Sequence, residues 1–351
     1  MTARGTDWSL ALLVALLFAS GLGTWFAGDE GDAWVFAAHA IAGASLALLL
    51  GWKLRRVWRR LVRPERWDRR TIAGALALAL VVATLASGWV WASAGALSAG
   101  GFSVLAWHTA LGALLTLVVA VHLLARAKRP RRRDLVGRRQ LLEGAAIAGA
   151  GFLAWRLQGP VNSLLGLPGE RRRFTGSYEA DSFAGNDFPT TSWVADDPDP
   201  LPSEYALSVG GLVANPVRLS AAELDADDEL VATLDCTGGF YSTQRWRGTS
   251  LGRLLELAGP EPAAGHVRVI SQTGYRWSFS IEDAPGLLLA THVGGEPLSH
   301  GHGAPLRLVA PGRRGFQWVK WVVSVELSED SDLLAPASTV WSSFSGQGRG
   351  S

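Results

Sequence analysis

The chain has 351 residues, of which 48% are hydrophobic, and it carries 33 Lys and Arg against 31 Asp and Glu. The resulting net charge of +2 argues against a dedicated nucleic-acid-binding protein. The single Cys excludes an intrachain disulfide, and it also argues against a structural zinc site, which needs several Cys and His at close spacing.

The N-terminal part of the chain contains four apolar stretches that approach the roughly 20 residues needed to cross a bilayer. They cover residues 8–27, 33–52, 71–92 and 104–124. A fifth stretch, residues 141–155, is shorter and could be a surface helix. It has to cross the membrane, however, if the C-terminal domain lies on the outer side. We therefore predict an all-α transmembrane bundle of four spans within residues 1–126. A basic loop and a fifth anchor helix follow in residues 127–158.

The charges of the links between these stretches alternate. Residues 53–70 and 126–139 are strongly cationic, whereas residues 28–32 are acidic and residues 93–103 carry no charge. Basic loops stay in the cytoplasm, so the N-terminus is predicted to be cytoplasmic and the C-terminal domain extracytoplasmic. We expect a multi-pass protein of a bacterial cell membrane, in contact with the lipid bilayer.

A pair of arginines opens the fifth helix. Arg138 and Arg139 are followed by Gln140 and two leucines, which resembles a twin-arginine export signal placed internally. Gly137 stands where such signals have Ser or Thr, and the positive-inside rule alone also puts arginines at a cytoplasmic helix end. Export by the twin-arginine machinery would suit a domain that folds around its cofactor before it crosses the membrane.

Three His lie within the predicted spans, where ionisable side chains are rare and indicate function. His39 and His108 lie at similar depth near the outer ends of the second and fourth spans, where their imidazoles could ligate one haem iron. His122 lies about 21 Å beyond His108 along the helix, and the first and third spans offer it no His partner. Spans with paired His resemble bacterial b561-type cytochromes, which implies haem b on His39 and His108. The alternative is a haem-free anchor in which these His form hydrogen bonds across helices.

The second half of the chain has the pattern of a soluble domain. Residues 159–200 are predicted to be a linker whose end makes the first cofactor contacts, residues 201–330 a domain, and residues 331–351 a tail. Ser220 and Glu223 are predicted to form a capping box, and Ser250 to cap a helix at 251–258 that ends at Gly259. Strands are predicted at 204–209, 230–236, 266–271, 277–281, 287–292, 306–310 and 319–327. Strands with short helices but no βαβ regularity predict an α+β domain.

Cys236 ends an apolar strand and enters a Gly-rich loop, a position from which a side chain can face a ligand. Alone, a Cys is as readily a small buried hydrophobe. Several motifs surround it in order: Asn186-Asp187-Phe188-Pro189, then Asp235-Cys236, then Trp246-Arg247-Gly248, then Gly303-Ala304-Pro305-Leu306-Arg307, and finally PGRRGFQWVKW at 311–321.

In this order the motifs resemble the molybdopterin-binding domain of the sulfite oxidase family, which includes the periplasmic methionine sulfoxide reductase catalytic subunit. The resemblance covers residues 186–327 and implies a molybdopterin-dependent oxidoreductase in which Cys236 is the thiolate on molybdenum. It places Arg307 at the pterin phosphate, where a guanidinium fork suits the oxygens. The cofactor-binding residues that it implies are Asn186, Pro189, Thr190, Cys236, Ser271, His302, Arg307, Trp318, Val319 and Lys320.

The substrate is not carried over from this family. We expect no immunoglobulin-like dimerisation domain after residue 327, and His302 stands where the reductases often have Asn. Arg245 and Tyr275 are the predicted catalytic residues beside Cys236, because they suit an anionic or oxo substrate. Further candidates are Tyr241, Arg247 and His300.

These features predict oxygen-atom transfer on a small oxo or sulfur-type substrate outside the membrane. Electrons would be exchanged through the membrane haem b, quinone or another membrane redox partner. The machinery that loads the molybdenum cofactor and the twin-arginine export machinery would act on the protein before catalysis. One alternative is a molybdoenzyme with a haem-free anchor. Another is a non-catalytic membrane cytochrome with an outer binding module.

Overall fold

The computed structural model describes residues 2–63, 65, 67–126, 137–191, 198–202, 204–220, 222–224, 227–339 and 342. The chain divides into two compact units, Met1–Tyr178 and Glu179–Ser351. Within the described residues, the long helices of the first unit are α1 (Ala3–Gly23), α2 (Ala33–Leu61), α3 (Arg69–Ser93), α4 (Val104–Arg126) and α5 (Arg138–Leu164). Two short strands, β1 (Ser98–Ala99) and β2 (Phe102–Ser103), pair between α3 and α4.

The predicted four membrane-type helices are confirmed. Helices α1 to α4 are long and apolar enough to cross a membrane. They also expose large apolar side chains, among them Trp34 at 69% and Leu117 at 62%, which a helix bundle in water would bury. Val14, Leu46 and Leu115 pack together in the small interior of the bundle.

Helix α2 is longer than predicted, because it continues through the start of the basic segment to Leu61. Lys and Arg favour helical conformation, and two contacts with α1 hold this extension. Lys53 Nζ lies 2.9 Å from Asp7 Oδ1, and Arg56 Nη1 donates to Thr6 Oγ1 at 3.2 Å. The predicted loop at 53–70 therefore begins as an exposed helix.

The fifth helix, α5, is also longer than predicted and takes in the first residues of the expected linker. It packs on α2 at Gly151, where a Cβ would lie 2.3 Å from Ser45 Oγ and 2.8 Å from the Ile41 carbonyl oxygen. Among the described helices, α5 is not one of those apolar enough to cross a membrane by length and composition. Its spanning stays a prediction, and residues 127–136 of the preceding basic loop lie outside the described residues.

The second unit is built on two sheets, and β3 (Tyr178–Glu179) lies at its start. In the first sheet, β7 (Phe240–Ser250) lies between β6 (Asp228–Asp235) and β10 (Leu288–Val293), both antiparallel to it. Strands β11 (Glu296–Pro297) and β12 (Arg307–Val309) pair with β10. The second sheet has the order β5 (Val217–Ser220), β4 (Ala206–Gly211), β13 (Val322–Ser328), β8 (His266–Ser271) and β9 (Arg276–Ser280), and only the β4–β13 pair is parallel.

All seven predicted strands of this unit are present, with ends displaced by up to three residues. The short strands β3, β5 and β11 and the long β7 were not predicted. The buried side chains of β7 include the apolar Phe240 and Trp246, with the polar Ser242 and Gln244 between them. The alternating apolar residues that indicate a strand are therefore interrupted. Residues 319–321 were predicted as strand, but they precede β13.

The predictions for the short helices had mixed outcomes. Helix α6 (Leu251–Ala258) has the predicted bounds and ends at Gly259 with a left-handed φ of 66°. Ser250 occupies the N-cap position without a side-chain capping bond, so that prediction was wrong. The Glu223 carboxylate does accept from Ser220 N and Oγ at 2.8 and 2.6 Å, but residues 222–224 form a turn and not a helix.

Candidate functional site

Cys236 lies in the tight loop between β6 and β7. Its backbone N–H donates to the Phe240 carbonyl at 2.8 Å, and its own carbonyl accepts from Gly239 at 3.0 Å. The side chain is buried. Its Sγ accepts from the Gly238 N–H at 3.3 Å and lies 3.3 Å from Thr191 Oγ1. The loop therefore holds the sulfur in a fixed place, with a backbone donor and a hydroxyl beside it.

Residues from the segment before β13 pack on the other side of this loop. Arg314 Nη2 donates to the Cys236 carbonyl at 3.3 Å, and Nη1 binds the carboxylate of Asp235. A Cβ at Gly315 would lie 3.1 Å from Cys236 Cα, which is closer than most side chains tolerate. The Arg-Arg-Gly part of the sequence motif thus fixes the backbone of the cysteine loop.

Arg307 is buried between aromatic rings. Its guanidinium carbon lies 5.5 Å from the centroid of Trp246 and 5.8 Å from that of Trp318, within the range of cation–π contacts. Burial lowers the pKa of Arg307 to about 10, and the nearby Cys236 acts to raise it, so the side chain is cationic at neutral pH. Nη1 donates to the His302 carbonyl at 2.9 Å, whereas the buried Nε has no hydrogen-bond partner among the described residues. An unsatisfied buried cation is costly, so an anion is the ligand that this position favours.

His302 is buried against Phe188, and the two ring centroids are 4.0 Å apart. Burial lowers the pKa of His302 to about 4, with Arg307 and Lys320 acting in the same direction against the hydrogen bond to Phe188. The ring is therefore neutral at pH 7. Nε2 must donate to the Phe188 carbonyl at 2.9 Å, because a carbonyl oxygen only accepts. Nδ1 then accepts from Ser299 Oγ at 2.7 Å, so both ring nitrogens are bound within the protein.

Lys320 connects two segments next to the cysteine. Its Nζ donates to the Thr191 carbonyl at 2.9 Å and to the Gly301 carbonyl at 2.7 Å. A Cβ at Gly301 would lie 3.2 Å from Thr190 Cγ2, so these segments also touch directly. The contacts bring the predicted Thr190 and Lys320 close to Cys236. They also reveal Thr191, which sequence reasoning missed because its contact with Cys236 joins residues 45 apart in the chain.

Asn186 holds the start of the same segment. Its side-chain amide donates to the Pro297 carbonyl at 3.0 Å and to Glu296 Oε2 at 3.3 Å, and its Oδ1 accepts from Ser299 N at 2.9 Å. Pro189 follows as an exposed residue. Asn186 therefore positions the 296–299 loop, whereas direct contacts of Asn186 and Pro189 with a cofactor stay predictions.

The remaining predicted cofactor residues lie in the buried framework of the unit. Trp318 Nε1 donates to the Arg313 carbonyl at 3.2 Å, and the Val319 carbonyl accepts from Leu308 at 2.8 Å. Ser271 lies at the end of β8, where its Oγ accepts from Thr273 N at 3.3 Å. In the part of the chain that the structure describes, no direct contact joins Ser271 to Cys236.

Among the described residues, neither of the two predicted substrate residues forms a hydrogen bond with the side chain of Cys236. Arg245 is exposed on β7, where strand alternation places it on the face opposite the buried Trp246. Tyr275 is buried, and its hydroxyl donates to the Phe316 carbonyl. Their catalytic roles stay predictions, and the bond to Phe316 gives Tyr275 a clear function in packing.

The first unit brings together the two predicted haem ligands. The rings of His39 on α2 and His108 on α4 are 6.1 Å apart between centroids, at an angle of 80°. His108 Nδ1 donates to the Thr84 carbonyl at 2.9 Å, and His39 Nδ1 lies 2.9 Å from Ser20 Oγ. Among the described residues, the hydrogen bonds that are assigned to a ring nitrogen of either His all involve Nδ1.

The spacing of the two rings fits one shared metal ion. Imidazole–metal bonds of about 2 Å put two ring centroids on opposite sides of one ion roughly 6–6.5 Å apart. Metal-bound His characteristically donates its second ring nitrogen to a carbonyl or another acceptor, as His108 does to Thr84. Ligation of one haem iron by His39 and His108 stays a prediction.

The cysteine site fits a molybdenum cofactor by the chemistry of its donors. Cys236 supplies a soft sulfur that suits a redox-active metal. Among the described residues no group of three or more His, Cys, Asp and Glu comes together, so a metal on Cys236 would take its other ligands from a cofactor. The buried charge of Arg307, whose Nε has no hydrogen-bond partner in the described part of the chain, suits an anionic group such as a phosphate.

The second unit is similar to known proteins. Residues 193–333 match the family described as "oxidoreductase molybdopterin binding domain". The catalytic subunit of a protein-methionine-sulfoxide reductase from Gluconobacter oxydans is 34% identical over 36% of this chain and 47% of that protein. Sulfite oxidase from Gallus gallus is 31% identical over 37% of this chain and 36% of that protein.

A solved structure, the sulfane dehydrogenase SoxCD from Paracoccus pantotrophus, has 26% sequence identity and a TM-score of 0.36. The similarity covers 38% of this chain and 40% of the SoxCD chain. The chain thus spans about half or less of the length of these relatives. The resemblance to the molybdopterin-binding family is confirmed for the second unit.

Proposed function

We propose, from the premise that residues 193–333 form a molybdopterin-binding oxidoreductase domain, that the whole chain is a membrane-anchored molybdenum–molybdopterin oxidoreductase. When bound, the cofactor supplies oxygen-atom transfer to or from a small oxo or sulfur-type substrate. The domain would act outside the cytoplasmic membrane. The observation that carries the proposal is the placement of the one Cys of the chain beside a buried arginine whose Nε has no hydrogen-bond partner among the described residues.

The residues of the site have separate tasks in this proposal. Cys236 holds the metal, and its place is fixed by the hairpin loop and by Arg314. Arg307 binds the anionic part of the cofactor, because its charge is otherwise uncompensated in a buried position. Trp246, Trp318 and Phe188 exclude water around that charge, which strengthens its electrostatic interactions.

Neighbouring residues keep this arrangement in one geometry. The neutral His302 ties Phe188 to Ser299. Lys320 ties Thr191 to the 299–303 loop and adds positive charge. We infer that these cross-links shape the cofactor site before the cofactor binds, so that less ordering is needed on binding.

The first unit is proposed to exchange electrons as well as to anchor the domain. The ring spacing of His39 and His108, and the acceptors at their Nδ1 atoms, support haem ligation through Nε2. Electrons would pass between this haem and the molybdenum site, and then to or from quinone or another membrane redox partner. The twin-arginine pair Arg138-Arg139 supports export of a folded, cofactor-loaded domain.

The test is metal analysis with a visible redox spectrum on the detergent-purified wild type and on Cys236→Ser, His39→Ala and His108→Ala. We expect near-stoichiometric molybdenum and a reducible b-type haem in the wild type. Cys236→Ser should lose the molybdenum and keep the haem, and either His variant should do the reverse. Exported wild-type protein without molybdenum would falsify the enzyme assignment, and molybdenum without haem would reduce the first unit to an anchor.

A further inference from the structure

A threonine hydroxyl reaches the sulfur of Cys236. Thr191 Oγ1 lies 3.3 Å from Sγ, within hydrogen-bond distance for sulfur. Two further contacts hold Thr191: Lys320 Nζ donates to its carbonyl at 2.9 Å, and its methyl group lies over Gly238. A Cβ at Gly238 would lie 3.7 Å from Thr191 Cγ2 and 3.4 Å from Sγ. The hydroxyl is therefore fixed against the sulfur by contacts on both sides.

The direction of this hydrogen bond follows from the state of the sulfur. A free thiol could donate to Thr191 or accept from it. A metal-bound Cys is a thiolate, which carries no proton and can only accept. In the loaded protein Thr191 must therefore donate, and Sγ would accept from both its hydroxyl and the Gly238 N–H.

We propose that Thr191 is a positioning residue that raises the reduction potential of the metal held by Cys236. A hydrogen bond to a ligating thiolate draws electron density from the sulfur, so the more electron-rich, reduced state of the metal is stabilised. The inference rests on the proposed function, because it requires Cys236 to be the metal ligand. It adds a residue outside the set of cofactor contacts that the sequence motifs imply.

The experiment compares Thr191→Val, which removes the hydroxyl and keeps the shape, with Thr191→Ser, which keeps the hydroxyl. Thr233→Val is the matched control, because it also removes a hydroxyl hydrogen bond, to Thr243 Oγ1 at 2.8 Å, without touching the sulfur. The molybdenum content of each full-length protein is measured first. The one-electron molybdenum couples are then followed by electron paramagnetic resonance during a redox titration.

Thr191→Val is expected to shift the reduction equilibrium up to about tenfold toward the oxidised metal, because the lost hydrogen bond to the thiolate is stronger in one oxidation state than in the other. Tenfold corresponds to about 59 mV for a one-electron couple. Thr191→Ser and Thr233→Val should stay near the wild type. An unshifted Thr191→Val, or an equal shift in either comparison variant, would overturn the inference. Absence of molybdenum from the wild type would instead overturn the proposed function.

A second measurement tests the same contact in case the Thr191→Val protein does not bind the cofactor. Cys236 is the only thiol of the chain, so the S–H stretching band of cofactor-free protein reports on one residue. Removal of the hydroxyl should move this band, and Thr191→Ser should restore it. The same band in the wild type and Thr191→Val would show that the hydroxyl does not interact with the sulfur.

Discussion

Asp235 and Arg314 form an ion pair of 2.6 Å between side chains that are 2% and 5% exposed. Asp235 directly precedes Cys236 in the chain, and the guanidinium of Arg314 also donates to the Cys236 carbonyl. Burying two charges costs much of what their attraction returns, but removing only one leaves the other unpaired. The net contribution of the intact pair to the stability of the fold is therefore small, and its main effect is to hold the cysteine loop in place.

Arg314→Met is expected to lower the free energy of unfolding of the second unit by about 3–5 kcal/mol, because the buried carboxylate of Asp235 would lose its ion-pair partner. Arg313→Met is the matched control. Arg313 pairs with Asp283 at 2.8 Å, but both side chains are about 40% exposed, so its loss should cost under about 1 kcal/mol. Denaturant unfolding followed by tryptophan fluorescence measures both. Equal losses would contradict the special role of the buried pair.

Arg307→Met is expected to weaken cofactor retention by about 10- to 150-fold, because a charged hydrogen bond contributes roughly 1.5–3 kcal/mol. Arg307→Lys should retain part of the cofactor affinity, since lysine keeps the positive charge but lacks the guanidinium fork. Molybdenum and pterin contents after extended dialysis measure the effect. Arg218→Met changes an exposed arginine on β5 and should retain the cofactor fully. Full retention by Arg307→Met would remove Arg307 from the site.

His302 should make the stability of the second unit pH-dependent. Its pKa is lowered by burial to about 4 in the folded chain and is near 6.5 in the unfolded chain. Between these values the unfolded state binds more protons, so stability is lost as the pH falls from about 6.5 to about 4 and is flat above 6.5. The total loss would be at most about 3 kcal/mol.

His302→Asn should remove this pH dependence, because the amide can still donate to Phe188 and accept from Ser299 but does not titrate. The measurement is the difference in urea midpoint between the wild type and His302→Asn from pH 7.5 to pH 4. This difference isolates His302 from the carboxylates, which both proteins share. Parallel curves over that range would rule out His302 as the cause.

Gly88→Ala tests the packing of the proposed haem ligands. A Cβ at Gly88 would lie 2.8 Å from His108 Cε1, so the ring has to move, whereas one at Gly21 would lie 3.5 Å from His39 Cε1, an ordinary contact. Gly88→Ala should lower the haem content several-fold, and Gly21→Ala should change it little. The reduced-minus-oxidised spectrum per mole of protein measures both. Haem loss that is equal in the two variants would contradict this packing.

Much of this organisation could be read from local patterns in the sequence. The membrane-type helices follow from runs of apolar residues. A span must satisfy its backbone hydrogen bonds within the helix and present apolar side chains to lipid, which leaves a strong signal over about 20 residues. The loop of Cys236 and the helix ending at Gly259 follow from short-range preferences of Gly. The ordered motifs were enough to indicate the molybdopterin-binding family.

The rest depended on contacts between distant residues. Strand β7 was missed because Ser242 and Gln244 occupy buried positions. The strand forms because β6 and β10 pair with it on both sides, a non-local effect that outweighs local preference. Helix α2 extends past its apolar part because α1 offers partners for Lys53 and Arg56.

The amino-acid sequence by itself determined the two-part plan of helices followed by a sheet domain, the family of that domain, and Cys236 as its central residue. Only the tertiary structure decided what surrounds that sulfur: Thr191 against it, Arg314 behind it, and a buried Arg307 nearby whose Nε has no partner among the described residues. The reason is physical. Periodicity and motifs record the interactions of neighbours along the chain, whereas burial and hydrogen-bond direction depend on which distant segments the fold brings together.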